Sequence, residues 1–234
     1  LWEYKDIWWG LGDGAYIFYA YAIDNAGNIS NSSDTKTIVL DTLAPNAPLI
    51  TIEKAFVNNS SISKITGTVE AGCTVLLYVM NSINGTYQFP IVTSNNAGLW
   101  EYKDIWLGQG DGAYRFYAYA IDNAGNRSNA SDTKTIVLDT LAPVINLQPV
   151  VSPTNKDVVL SYTTIDSTNV TITGDNSTYL TEGQHNVILL ATDEAGNTSS
   201  LGISFFIDKT APVINLQPVA SPTNKDVALS YTII

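Results

Sequence analysis

The chain has 234 residues, 45% of them hydrophobic, which is enough apolar sequence for small cored domains and too much for a disordered chain. It carries 22 acidic and 11 basic residues, and the net charge of −11 argues against nucleic acid or anionic membrane as a partner. Its one cysteine, Cys73, excludes an intrachain disulfide and is predicted to be a small buried hydrophobe.

Two segments of the chain recur almost unchanged. Residues 1–45 return as 99–143 with five differences, and residues 142–165 return as 211–234 with three. Within the repeats, a loop of the form Asp-x-Ala-Gly-Asn precedes a linker of the form Asp-x-x-Ala-Pro. The loops begin at Asp24, Asp122 and Asp193, and the linkers at Asp41, Asp139 and Asp208. Such a fixed repeat predicts an array of similar units.

The periodicity of these units is that of short β-strands, as in 112–122, where Tyr114 and Phe116 point one way and Arg115 and Tyr117 the other. A long unit, 46–139, is predicted to contain strands at 49–54, 65–70, 74–80, 87–93, 99–106, 112–122 and 133–139. A short unit, 144–208, is predicted to contain strands at 144–149, 157–165, 169–173, 179–180, 184–193 and 201–208. Residues 1–41 predict the last three strands of a preceding long unit, and 213–234 the first two of a following short one.

The run from Leu107 to Asn126, with Asp111-Gly-Ala-Tyr114 and then Asp122-x-Ala-Gly-Asn126, resembles the bacterial Ig-like domain, as does the Asp139-x-x-Ala-Pro linker after it. The resemblance covers nearly the whole chain and implies an all-β fold of tandem Ig-like β-sandwiches in an elongated array. Such domains recur in large adhesins and other surface proteins. The short unit departs from the pattern at Glu182-Gly-Gln-His185, and it is too short for seven strands.

Strand direction places the acids of neighbouring units together. The F and G strands are antiparallel, so Asp122 and Asp139 of one unit lie at opposite poles, about 20–25 Å apart. The linker from the preceding unit enters at the pole of the BC and FG loops. Asp41 is therefore predicted to meet Asp122 and Glu70.

By the same argument, Asp139 is predicted to meet Asp193 and Asp166 at the next joint. Three converging carboxylates repel one another unless a cation neutralises them, and Ca²⁺ prefers oxygen ligands. The sequence thus predicts one Ca²⁺ at each complete joint, which the resemblance to giant adhesins also implies. Asp24 and Asp208 are candidate ligands whose partners fall outside the sequence. The alternative is that each aspartate simply caps a turn.

The aromatic residues suggest a corner and an outer face. Tyr16 and Tyr114 follow Asp-Gly and predict a tyrosine corner, with His185 in the equivalent place. Trp8, Trp9 and Trp106 are predicted near the E–F corner, and Trp2 and Trp100 in the core. The outward aromatics of strand F are Tyr19, Tyr21, Tyr117 and Tyr119. They are open to three interpretations, namely ligand stacking, lateral packing or a plain structural role.

No catalytic motif accompanies His185, so an enzyme is not predicted. The favoured hypothesis is a non-catalytic stalk or scaffold of an extracellular or cell-surface protein, stiffened by Ca²⁺ and serving adhesion. Its partners are the neighbouring Ig-like domains of the same chain, with lateral copies or a surface ligand left open. One alternative is a self-assembling subunit of a filament, sheath or surface layer. Another is a carbohydrate-binding accessory module, which glycan binding that is lost in Trp106→Ala would favour.

Overall fold

A computed structural model describes residues 10, 12–81, 85–108, 110–219, 221 and 226–234, and within these residues all regular structure is β-strand. The chain divides into two units, Leu1–Thr140 and Leu141–Ile234. This division falls inside the linker that the sequence places between Asp139 and Pro143. None of the described residues belongs to a helix of the length and apolarity needed to cross a membrane.

Eleven strands are described in the first unit. They are β1 (Gly14–Phe18), β2 (Lys36–Leu40), β3 (Leu49–Thr51), β4 (Phe56–Val57), β5 (Ser61–Thr68), β6 (Thr74–Asn81), β7 (Gly85–Gln88), β8 (Val92–Thr93), β9 (Leu99–Trp106), β10 (Gly112–Ile121) and β11 (Lys134–Leu138). One sheet has the order β3-β5-β9. The other has the order β4-β11-β10-β6-β7, with β8 also on β6.

These two sheets enclose one hydrophobic core. Ile65 and Trp100 contribute to it from the first sheet, and Leu77 and Phe116 from the second. Along β10 every second side chain from Tyr114 onward is buried, as the alternation predicts. Burying a side chain such as Phe116 stabilises the fold by about 1.5–3 kcal/mol. The result is the β-sandwich that the sequence predicts, with its F and G strands at β10 and β11.

The packing of Trp100 depends on a glycine directly opposite it. Gly67 of β5 pairs with Trp100 of β9, whose indole occupies the space above the glycine. A Cβ atom at Gly67 would lie 1.9 Å from the Leu49 carbonyl oxygen and 2.3 Å from Cζ2 of Trp100. Neither the backbone nor the buried indole can retreat that far. By contrast, a Cβ at Gly202 in the second unit meets nothing within 4 Å.

Several features of this sandwich differ from the sequence prediction. The strand predicted at 49–54 ends at Thr51, and the one predicted at 65–70 spans Ser61–Thr68. The strand predicted at 87–93 is two strands, β7 and β8, because Pro90 between them lacks the N–H that a ladder needs. In addition, the short strand β4 pairs in parallel with β11, at Val137 with Phe56 and Leu138 with Val57. Its two ladder positions are too few to produce a periodic signal.

Seven strands are described in the second unit. They are β12 (Val144–Leu147), β13 (Tyr162–Ile165), β14 (Val170–Thr173), β15 (Gly183–Asp193), β16 (Thr198–Ile207), β17 (Ile214–Leu216) and β18 (Tyr231–Ile233). The pair β12–β13 and the sheet β14-β15-β16 share a smaller core that includes Leu160, Leu189 and Phe205. The strand predicted from 157 begins only at Tyr162. Before it, Val158 is joined to Tyr179 by an isolated bridge.

The two partial repeats form the same pairings as their complete counterparts. Gly14 pairs with Leu40 in β1–β2 as Gly112 pairs with Leu138 in β10–β11. Likewise Ile214 pairs with Ile233, repeating the register of β12–β13. The remaining strand predicted in 1–41, together with Trp2, Trp8 and Trp9, lies outside the described residues. Near-identical sequence therefore folds to near-identical local structure in both places.

Candidate metal centres

Each Asp-x-Ala-Gly-Asn loop is closed by its own aspartate. Asp122 Oδ1 accepts hydrogen bonds from the amides of Ala124 and Asn126, both at 2.9 Å, and its Oδ2 accepts one from the Asn126 side-chain amide at 2.9 Å. Asp24 and Asp193 bind the final asparagine of their own loops in the same way. The turn-capping interpretation thus has a direct structural counterpart. A carboxylate offers about four lone-pair positions, so capping leaves capacity for a cation.

The capping bonds also favour the ionised form of these acids. The side-chain amide of Asn126, followed by backbone amides of the loop, holds the pKa of Asp122 below its ordinary value. The pKa of Asp24 is lowered in the same way, chiefly by the Asn28 side chain. The loops therefore present charged carboxylates at neutral pH, which is the state a divalent cation requires.

At the first joint, asparagines connect the linker to the loops. The Asn126 side-chain amide donates to the Asp41 carbonyl oxygen at 2.9 Å, and the Glu70 carboxylate accepts the Asn46 amide at 2.9 Å. The Asp41 carboxylate caps its own linker, accepting the amide two residues further on at 3.1 Å. Within the described part of the first unit, no three acid, histidine or cysteine side chains offer ligand atoms within 4.8 Å of one another. The carboxylates of Asp41, Glu70 and Asp122 are therefore not gathered into one cluster.

In the second unit, the topology brings two predicted ligands together. Asp166 follows the last residue of β13, and Val170 of β14 pairs with Asp193 at the end of β15. Carboxylate oxygens of Asp166 and Asp193 lie within 4.8 Å of each other. Asp193 is buried, and Asp166 caps a turn by accepting the Thr168 amide at 2.8 Å. Two of the predicted ligands therefore lie close together within the second unit.

The remaining predicted ligands lie at strand ends. Asp139 follows β11 in the first unit, is 1% exposed, and donates its amide to the Val57 carbonyl oxygen at 3.0 Å. Asp208 follows β16 in the second unit, and its amide bonds to the Thr154 carbonyl oxygen at 2.9 Å. The Asp208 carboxylate accepts the Thr210 amide at 3.1 Å, which is a local cap.

Cysteine and histidine do not join these oxygen-rich groups. Cys73 is buried, as predicted, and burial followed by the charges of Glu70 and Asp122 raises the pKa of its thiol, which keeps it a thiol rather than a metal-binding thiolate. His185 Nε2 lies 2.7 Å from the Thr181 carbonyl oxygen, so the ring donates there. Hard cations that prefer oxygen, such as Ca²⁺, fit these donors better than Zn²⁺.

That histidine contact is the counterpart of the predicted tyrosine corners. Tyr114 donates its hydroxyl to the Gly110 carbonyl oxygen at 2.8 Å, and Tyr16 donates to the Gly12 carbonyl oxygen at 2.5 Å. In all three cases the acceptor is the carbonyl four residues earlier. The corner is confirmed for both tyrosines, and the short unit keeps the same bond with a different donor.

Sequence reasoning missed a second contact at this corner. The acid before the corner glycine, here called the corner acid, binds a threonine in the linker after strand G, here called the linker threonine. Asp111 accepts the amide and the hydroxyl of Thr140, both at 3.0 Å. Asp13 accepts the same two bonds from Thr42, whereas Glu182 accepts the hydroxyl of Thr210 and the amide of Lys209. The available signal was that both long-unit copies place an Asp-Thr pair 28 residues after an Asp-Gly pair, at 13 and 41 and again at 111 and 139. The contact between corner acid and linker threonine fixes how the chain leaves each unit.

The outward aromatics of strand F have different surroundings in the two copies. Tyr117 stacks on Tyr78 of β6 with ring centroids 5.2 Å apart, and the Arg127 guanidinium lies 3.7 Å from the centroid of Tyr119. The equivalent Tyr19 and Tyr21 are exposed. In the complete sandwich these side chains are therefore partly covered within their own sheet.

Comparison with known proteins gives two family matches. A model described as bacterial Ig-like domain (group 3) matches residues 168–233, and a model described as bacterial Ig-like domain matches residues 78–140. No protein in the curated set matches the chain.

Among solved structures, a tetra-tandem repeat in the extending region of a large adhesion protein is 19% identical, with a TM-score of 0.41, and the match covers 97% of this chain and 71% of that one. The fibronectin(III)-like modules of Clostridium thermocellum CbhA are 18% identical, with a TM-score of 0.38, and the match covers 68% of this chain and 94% of that one.

Proposed function

The chain is built from tandem bacterial Ig-like domains, and from this premise we propose that it is a non-catalytic stalk segment of an extracellular or cell-surface protein. In this proposal the segment holds a distant module away from the cell in the service of adhesion. Its direct partners are the neighbouring domains of the same chain, and Ca²⁺ stiffens the joints between them. The net charge of −11 suits such a solvated, cation-rich setting.

The observation that carries the calcium proposal is the acid pair of the second unit. Carboxylate oxygens of Asp166 and Asp193 lie within 4.8 Å of each other, and Asp193 is buried. Two like charges so close repel each other, and a divalent cation between them removes that cost. The nearby oxygen donors include the hydroxyl of Thr168, which suits the six to eight oxygen ligands that Ca²⁺ takes.

Chain connectivity supports Asp139 as the third ligand. Val144, the first residue of β12, pairs with Ile165, the residue before Asp166, so the linker enters at the end of the sheet that carries the acid pair. Asp139 precedes Val144 by five residues, which is at most about 17 Å of extended chain. We propose that Asp139, Asp166 and Asp193 bind one Ca²⁺, and that Asp41, Glu70 and Asp122 bind a second, weaker one. The second is weaker because its three carboxylates must first move together.

The corner acids support the stalk proposal independently of any ion. Each one ties the outgoing linker to the body of its own unit through two hydrogen bonds, as Asp111 does with Thr140. A linker tethered in this way has fewer conformations than a free one. Ca²⁺ at the entry pole then restrains the other end of the same linker.

Small-angle X-ray scattering of the 234-residue chain tests the stiffening. We expect Ca²⁺ added to chelator-treated protein to narrow the distribution of interatomic distances, and Asp166→Asn to reduce that change by removing the tighter of the two proposed sites. Mg²⁺ at the same concentration is the control ion, because it holds its water more tightly and favours a stricter geometry. Scattering curves that do not change with Ca²⁺ count against a stiffening role.

A further inference from the structure

The complete sandwich of the first unit contains a cavity that the stalk function does not use. It has a volume of about 790 Å³ and lies against β6, β7 and β9. Its lining combines the aromatic side chains Tyr87, Phe89, Tyr102 and Trp106 with the polar side chains Asn81 and Asp104. Sites for small molecules typically measure about 300–1,000 Å³ and join apolar walls to a few polar groups. The size and the composition of this cavity both fall within that description.

The cavity owes its exposed tryptophan to a break in the alternation of β9. Trp100 and Tyr102 point toward the core, so alternation would next bury residue 104 and Trp106. Instead Ile105 is fully buried and Trp106 is 61% exposed. The change of phase occurs at Asp104, whose φ is +51°.

A left-handed residue inside a strand is uncommon for any residue other than glycine, although aspartate tolerates it better than most. Strained backbone of this kind concentrates at functional sites. The phase change buries Ile105 and Leu107 in the core and leaves the large indole of Trp106 in solvent, beside the Asp104 carboxylate. An exposed indole and a carboxylate that line the same aromatic cavity point to a ligand.

The chemistry of the lining narrows the class of ligand. Trp106 and Tyr87, the latter 59% exposed, offer flat apolar faces, while Asp104 accepts hydrogen bonds and Asn81 can both donate and accept. Burial, followed by the neighbouring Tyr87, raises the pKa of Tyr102, so its hydroxyl remains a donor. Among the described lining residues there is no lysine, arginine or histidine to neutralise an anion.

We propose that this cavity binds a neutral saccharide. A pyranose ring has an apolar C–H face that stacks on an indole, and its rim of hydroxyl groups matches the carboxylate and amide. A purely apolar ligand would leave the Asp104 carboxylate desolvated without a partner. A small quaternary ammonium ion, which aromatic side chains also attract, would fill only a small part of the volume.

Titration of the full chain with soluble tetrasaccharides tests the proposal. The probes are cellotetraose, maltotetraose, mannotetraose and tetra-N-acetylchitotetraose, followed by calorimetry and tryptophan fluorescence, with choline as a competing cation. We expect at least one saccharide to bind, and Trp106→Ala to weaken its binding by about ten-fold or more. Trp106→Phe keeps a ring in place and should give an intermediate loss. Tyr21→Ala removes an equally exposed aromatic outside the cavity and should leave binding unchanged.

Three results would overturn the proposal. The first is that none of the four saccharides binds at millimolar concentration. The second is that a saccharide binds equally well to the wild type and to both Trp106 variants. The third is that choline binds more tightly than every saccharide, which assigns the cavity to a cation. Because the assay does not depend on Ca²⁺, its outcome is separate from that of the stalk proposal.

Discussion

Replacing Asp166 by Asn should change stability in opposite directions with and without Ca²⁺. The substitution keeps the shape of the side chain and an oxygen that can accept the Thr168 amide, so the turn is retained. It removes one of two negative charges whose oxygens lie within 4.8 Å of each other. Coulomb repulsion over that distance is about 3 kcal/mol at an effective dielectric constant near 20. Because Asp166 is partly exposed, screening reduces the expected effect to about 1 kcal/mol.

In chelator-treated protein, Asp166→Asn should therefore raise the melting temperature of the second unit by about 4–8 °C, the shift that 1 kcal/mol produces in a domain of this size. In excess Ca²⁺ the same variant should melt below the wild type, because it loses a charged ligand and with it part of the stabilisation by the ion. Differential scanning calorimetry of the full chain measures both cases. Asp34→Asn, at an exposed aspartate outside the proposed sites, is the matched control.

A variant that melts at a lower temperature in both conditions would refute the repulsion argument and indicate a purely structural role for Asp166. A variant that is more stable in both conditions would show that the pair repels but holds no ion. Only the reversal of sign supports a cation site.

Three further predictions concern the sandwich and its loops. Gly67→Ala should lower the free energy of unfolding of the first unit by more than about 3 kcal/mol in urea, because the added Cβ has no space. The control Gly202→Ala should change the free energy of unfolding of the second unit by less than about 1 kcal/mol. Equal effects would contradict the packing argument. Asp111→Ala should speed hydrogen exchange at the amide of its linker threonine at least about ten-fold, and an unchanged rate would show that the corner acid does not hold the linker. The pKa of Asp122 is lowered in the folded protein, so ionised Asp122 contributes stability above the unfolded pKa near 3.9, and this contribution is lost as the pH falls through the lower folded pKa. Asp122→Asn should therefore flatten the loss of stability below about pH 4. A parallel decline in both proteins would contradict this.

Much of the fold could be predicted because side-chain alternation and turn residues act locally. Strand β9 has the predicted bounds, and β10 ends one residue before the predicted end. The strand predicted from 157 was too long for a related reason. Val158 and Leu160 are buried and Val159 is exposed, as alternation requires, but these residues lack a continuous ladder. Periodicity reports which side chains face the core and does not report which backbone groups are paired.

Features that depend on distant residues could not be predicted in this way. The local sequence does carry the break in alternation, because polar Lys103 and Asp104 are adjacent and apolar Ile105 follows, but nothing in it indicates that Asp104 adopts a left-handed backbone. The contact between Asp111 and Thr140 joins residues 29 positions apart, and only the repetition of both motifs pointed to it. Similarly, strand direction predicts which acids share a pole, whereas their separation depends on loop geometry. Asp166 and Asp193 approach each other closely, while Asp41, Glu70 and Asp122 are not clustered.

Direct measurement of Ca²⁺ binding tests the central claim most simply. The 234-residue chain, stripped of metal by chelator, is titrated with Ca²⁺ by isothermal titration calorimetry, beside the Asp166→Asn and Asp122→Asn variants. We predict two unequal binding steps, the tighter lost in Asp166→Asn and the weaker in Asp122→Asn. If no Ca²⁺ binding is measurable, or if neither variant alters the binding, the proposal that these carboxylates hold calcium is contradicted and they remain turn caps.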